Sequence, residues 1–208
     1  MNRKLTASAI ALLASAAVLT ACGDDGGESG TPATTGARTT SAAASPSGTA
    51  PAEGEHNEAD IRFAQEMIPH HRQAVEMAAL VPTHSTDPRV IDLAARIQQA
   101  QDPEITAMTG WLEAWGAPVP EGTGHSGGHH DGMPGMMTDE QMAELEAAQG
   151  AEFDRMWLEM MIDHHEGAVQ MAQTELAEGS DPQAKTMAQQ IIDAQQAEIG
   201  EMQAILEG

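Results

Sequence analysis

Met67-Ile68-Pro69-His70-His71, followed by Ala74, Val75, Met77 and Ala78, returns later in the chain as Met161-Ile162-Asp163-His164-His165, followed by Ala168, Val169, Met171 and Ala172. The copies stand 164 − 70 = 94 residues apart. The same offset pairs Asp60 with Asp154, Asp87-Pro88 with Asp181-Pro182, Gln101 with Gln195, Glu104-Ile105 with Glu198-Ile199, and Met108 with Met202, without a gap. A repeat of this kind is one supersecondary unit used twice, here with His and Met at its centre.

Around the first copy, Ile61, Ala64, Ile68, His71, Val75 and Ala78 recur at three- and four-residue steps, which predicts an amphipathic helix from about Asn57 to Leu80. Asn57 or Asp60 can cap it, and Val81-Pro82 is its expected stop. Asp87-Pro88 opens a second helix, since Asp is a good N-cap and Pro suits the first turn; that helix ends near Trp115-Gly116. A short helix is expected from Asp139 to about Ala148 behind Thr138, and a third long helix from about Ala151 to Ala177, stopped by Gly179. Asp181-Pro182 opens the fourth, which ends at Leu206. Aromatic residues at 2%, 14 Met and no Tyr suit helices and argue against a β-sandwich.

The expected fold is all-α: an antiparallel four-helix bundle spanning 58–207, built from two duplicated helical hairpins, 58–115 and 152–207. A Gly/His/Met-rich loop, 116–137, joins them. A pseudo-two-fold along the bundle axis would make the first and third long helices parallel, on opposite corners, with both His pairs at about one level.

Net charge is −23, which repels nucleic acid and anionic lipid and attracts cations. The single Cys rules out an internal disulfide. Residues 1–22 read as a lipoprotein signal peptide: Asn2-Arg3-Lys4 is a basic start, Leu5 to Val18 is an apolar run, and Leu19-Thr20-Ala21-Cys22 resembles a bacterial lipobox. On that reading Cys22 carries the lipid and the protein is exported, membrane-anchored on the outer face of the plasma membrane. Residues 23–57, rich in Gly, Ser, Thr, Ala and Pro, read as a disordered tether.

On a helical wheel Met67, His70, Ala74 and Met77 share one inward stripe, with His71 at its edge. His70 and Met77 are separated by about 10 Å of rise, so they do not chelate one ion; Met67 with His70 or His71 can. The same holds for Met161 with His164 and His165. Counting back from the turn places Gln101 and Glu104 near the level of His70, and Gln195 and Glu198 do the same in the second half. Glu104 and Glu198 can accept the other ring N–H of a ligating His and fix its tautomer. Imidazole with thioether, and no clustered Cys, points to copper: thioether sulfur selects Cu(I), and imidazole also tolerates Cu(II). In the joining loop, His125, His129, His130, Met133, Met136 and Met137 form either an auxiliary metal-collecting arm or a solvated linker. Methionine on a helical face is also ordinary core filler, so metal site and structural core stay open as readings of the repeated phrase.

Met-Ile-x-His-His-x-x-Ala-Val-x-Met-Ala in two copies, Phe153-Asp154-Arg155 before the second, and Gln-x-x-Glu-Ile-x-x-Met in the alternate helices together resemble the domain-of-unknown-function family numbered 305, over about residues 57–207. The resemblance implies a ferritin-like four-helix bundle, exported or lipid-anchored, with copper binding in some relatives. It places the family's His-Met motif on Met67, His70, His71, Met77, Met161, His164, His165 and Met171. The function expected is an extracytoplasmic, membrane-tethered copper-binding protein that sequesters or transfers the ion. A non-catalytic interaction module is the alternative, and a metal-dependent redox enzyme the third. The Glu-x-x-His motif of di-iron bundles occurs only at Glu53–His56, in the tether, which argues against an enzyme of that type.

Overall fold

The computed structural model describes residues 55–122 and 133–208. The expected signal peptide, Cys22, nearly all of the tether, and His125, His129 and His130 lie outside the described residues. Every regular element among those described is a helix: α1 (Glu58–His84), α2 (Pro88–Trp115), α3 (Asp139–Ala147), α4 (Gly150–Glu178) and α5 (Pro182–Glu207). No helix among them is long and apolar enough to cross a membrane.

Local chemistry explains most boundaries. Asn57 caps α1 by accepting from the Ala59 and Asp60 amides, and Asp60 closes a capping box. Asp87 and Asp181 cap α2 and α5, each ahead of a Pro in the first turn. Gly116 ends α2 in the left-handed region at φ 67°. Thr138 and Gln141 form the capping box of α3. One boundary differs from expectation: α1 runs through Val81-Pro82 to His84. Its extra turn is held from outside, because the His84 ring stacks on Phe153 of α4 at 4.9 Å and its Nε2 lies 3.1 Å from Glu146 O of α3.

Each hairpin packs its own two long helices, α1 on α2 and α4 on α5; α1 also lies along α4, and α2 touches α5 more lightly. The first helix starts where α4 ends, since Asn57 Nδ2 donates to Glu178 O (2.9 Å) and the Asp60 carboxylate accepts from the Ser180 and Asp181 amides (3.0 and 2.9 Å). Further along, Trp157 Nε1 donates to Met77 O (3.0 Å). These contacts make α1 and α4 adjacent and antiparallel. The expectation of parallel helices on opposite corners is therefore corrected. The ring order is α1, α2, α5, α4, and the pseudo-two-fold runs across the helices, between α1 and α4.

The core is divided. One apolar cluster holds Ala74, Met77, Val81, Leu93, Ile97, Phe153, Trp157 and Met161. The other holds Phe63, Met67, Ile68, Met108, Leu112, Ala168, Met171 and Ile191. In every long helix the sequence between the two clusters carries the buried polar residues: His70 and His71, Gln101, His164 and His165, and Gln195. A polar layer thus crosses the bundle at mid-height, where all four helices contribute.

At the Asn57 end lies a second buried polar pair. The Glu175 carboxyl, 1% exposed, has its pKa pushed up to about 8, by burial and then by its hydrogen bond to Asp60. Burial pushes Asp60 up as well, but Glu175 and the surrounding amides outweigh that and hold it below the usual carboxylate range. Burial beside the Asp60 carboxylate therefore favours the protonated form of Glu175.

Candidate metal centre

All four histidines of the repeated phrase are completely buried. Helical spacing brings each pair inward from one helix, and the pseudo-two-fold brings the pairs together. Glu104 Oε2 accepts from His71 Nε2 at 2.8 Å, and Glu198 Oε2 accepts from His165 Nε2 at 2.8 Å. A carboxylate only accepts, so the ring hydrogen sits on Nε2, and a neutral ring then presents a bare Nδ1. The other two histidines meet across the pseudo-axis, with His70 and His164 ring centroids 3.7 Å apart and the planes tilted by 38°.

The symmetry stops at His70 and His164. His70 Nε2 donates to the Pro134 carbonyl (3.1 Å), whereas neither nitrogen of His164 has a partner. Nδ1 of His70, His71 and His165 is likewise unpartnered. Burial, then neighbouring His71, pushes His70 down to about 3; burial, then His70, holds His164 well below its ordinary value. Both rings are therefore neutral near pH 7 and carry free lone pairs in an interior without water-facing surface. The Oε1 atoms of Gln101 and Gln195, each 3% exposed, also lack partners. Each unpartnered buried acceptor costs about 1–3 kcal/mol.

Met67 and Met161 are fully buried, one turn before the histidines on their own helices. The antiparallel pairing separates the methionines of each copy. Met67 shares its cluster with Met108 and Met171, while Met77 shares the other with Met161 and Met202. The stripe that joins Met67 to Met77 along one helix is thus cut by the polar layer. Each side of the layer receives thioethers from both copies. Among the described residues, no three His, Cys, Asp or Glu side chains already stand close enough to hold one ion. The donors that fit a soft cation here are bare imidazole nitrogens with adjacent thioethers, which suits copper better than zinc.

Part of the joining loop belongs to this site. Met133 and Met136 are half-buried and Met137 is buried. Gln73, 3% exposed, donates from Nε2 to Met137 O (2.9 Å) and accepts from Met137 N at Oε1 (2.8 Å). Gly135, at φ 76°, packs so closely on α4 that a Cβ there would lie 2.5 Å from Asp163 O and 3.0 Å from His164 Cα. A Cβ on Gly167 would collide with the Pro134 carbonyl. Sequence reasoning missed Gln73, Pro134 and Gly167. The available signal was a break in the repeat, because 73 + 94 = 167 pairs Gln with Gly.

The family model described as "Domain of unknown function (DUF305)" matches residues 60–206. The chain belongs to the DUF305 family. A DUF305 protein from Streptomyces coelicolor is 34% identical, with 72% of this chain and 92% of that one covered and a TM-score of 0.65. A DUF305 fragment from Deinococcus radiodurans is 32% identical, with 73% and 97% covered and a TM-score of 0.65. CopM in its Cu(II)-bound form is 32% identical, with 71% and 95% covered and a TM-score of 0.62; it has also been solved in Cu(I)-bound and silver-bound forms. No curated protein matches the chain. The DUF305 fold is thus shared with a protein whose solved forms hold copper and silver.

Proposed function

We propose that this protein binds copper at the polar layer and sequesters or passes on the ion outside the cytoplasm, without catalysis. The observation that carries the reading is His164, fully buried with neither ring nitrogen partnered. A structural core histidine is kept because its nitrogens are hydrogen-bonded, and His164 offers no such reason. A ligand that enters and uses the bare nitrogens does offer one. The candidate donors are His70, His71, His164 and His165, with Met67 and Met161 beside them and Met77 and Met171 further out. Glu104 and Glu198 would orient the ligating rings through their Nε2 hydrogens. Similarity to CopM supports the choice of copper, and the thioethers favour Cu(I) over Cu(II).

Export and anchoring through a lipid on Cys22 rest on the leader-like residues 1–22 and the lipobox-like run before Cys22. Copper titration of the protein with all four histidines changed to Ala tests the site. Loss of tight Cu(I) binding with the helical circular-dichroism spectrum retained supports it. Undiminished binding refutes the assignment and transfers it to the joining loop.

A further inference from the structure

Residues 133–137 bridge α4 and α1 beside the His pairs: Gly135 packs on the Asp163–His164 backbone, the Pro134 carbonyl meets His70 Nε2, and Met137 pairs with Gln73. These three independent contacts hold the segment there. Pro134 also lines a cavity of about 150 Å³ with Phe63, Glu66, Met171 and Glu175. One residue therefore touches a completely buried His70 on one side and a small cavity on the other.

The geometry points to the 133–137 segment as a gate on the His layer, with Gln73 as the positioning residue that keeps it closed. The inference rests on the copper reading for the identity of what passes: a soft cation entering through the cavity by way of Met171. It does not rest on that reading for the gate itself. While the strap is closed, the Pro134 carbonyl holds the His70 ring hydrogen on Nε2, so Nδ1 faces the site bare. When the strap lifts, His70 loses that acceptor and the cavity becomes continuous with the rings. The break in the repeat follows from the same device. Among the described residues a single strap lies across the two halves, so position 73 needs an amide to grip it and the equivalent position 167 needs a glycine to let it lie flat.

Gln73→Ala removes two hydrogen bonds from the closed state, and Gly167→Ala pushes Pro134 away from the opposite side. Losing two bonds raises the open fraction by about ten-fold or more. In the full chain, Cu(I) exchange with a chromophoric chelator is expected to be about ten-fold faster in either variant, with Kd changed much less than the rates. In the metal-free protein, the 15N signature of a His70 ring protonated at Nε2 is expected to weaken in Gln73→Ala. Unchanged exchange rates in both variants, or an affinity loss with no change in rate, would overturn the gate. If the wild-type chain takes up no copper, the copper reading falls. The gate is then judged on the ring signal alone, and an unaltered His70 tautomer in Gln73→Ala sinks it.

Discussion

His70 and His164 are the same position in two copies of one unit, and their rings meet 3.7 Å apart at the centre of the bundle. Their surroundings differ, since His70 Nε2 has the Pro134 carbonyl and neither His164 ring nitrogen has a hydrogen-bond partner. That inequality makes His164 the sharpest test of whether the layer serves the fold or a ligand. Replacing it with Leu removes an unpartnered polar group at similar volume. We predict that metal-free His164→Leu is more stable by about 1–3 kcal/mol. In a domain of this size that is roughly 2–4 °C of Tm per kcal/mol in a thermal melt. Copper affinity should fall in the same variant, and a lower Tm would count against the reading.

Glu104 and Glu198 are equivalent under the repeat, and each accepts from a histidine Nε2 at 2.8 Å. If they orient ligands, Glu104→Ala with Glu198→Ala should weaken copper binding by about 10–100-fold, as outer partners of metal-bound His do elsewhere. Competition titration measures this. An unchanged Kd would reduce the two hydrogen bonds to a structural role.

The Asp60–Glu175 pair predicts a pH dependence of stability remote from the histidines. Glu175 is held protonated up to about pH 8, against an ordinary value near 4.5. Between those limits the folded state binds a proton that the unfolded chain has released, so stability falls as pH rises through that window and levels off above it. Glu175→Gln keeps a hydrogen-bond donor for Asp60 and cannot ionise. Denaturant melts should show a shallower decline from pH 5 to pH 8 in the variant, with the gain over wild type largest at and above pH 8. Parallel curves for the two proteins would remove Glu175 as the cause.

Cys22→Ser tests the anchoring half of the proposed function. The variant should leave the membrane fraction and appear in the soluble extracytoplasmic fraction, detected by immunoblot of fractionated cells. Retention in the membrane would point to another form of attachment.

Much of this was readable from the residues. Asp87-Pro88 and Asp181-Pro182 announced two helix starts, because capping is local chemistry that neighbouring elements rarely override. The repeat and its 3.6-residue periodicity gave the hairpins, and antiparallel counting put Glu104 near the His pair. Three features were out of reach for a physical reason: each depends on contacts between distant segments. Helix α1 continues through Pro82 because His84 finds Phe153. The relative direction of α1 and α4 is set by docking between hairpins, and period alone is blind to it. The grouping of Met67 with Met171, and of Met77 with Met161, follows from that direction. The strap lay in a stretch whose glycines read as formless, although Gly135 is there to permit contact with Asp163 and His164.

The position of the pseudo-axis also bears on how such a molecule could arise. A single hairpin of the 58–115 type holds the His70–His71 pair, the Glu104 carboxylate and thioethers on both sides of the layer, which is half of the proposed site. Two identical hairpins associating about the same axis would complete it as a homodimer, with both halves equal. Joining them in one chain keeps the site intact and adds one covalent crossover, which cannot itself be two-fold symmetric. From then on the halves are free to diverge. Gln73 opposite Gly167 is where that divergence is visible: a symmetric ancestor could bind an ion, but only the fused chain could give its site a front and a back.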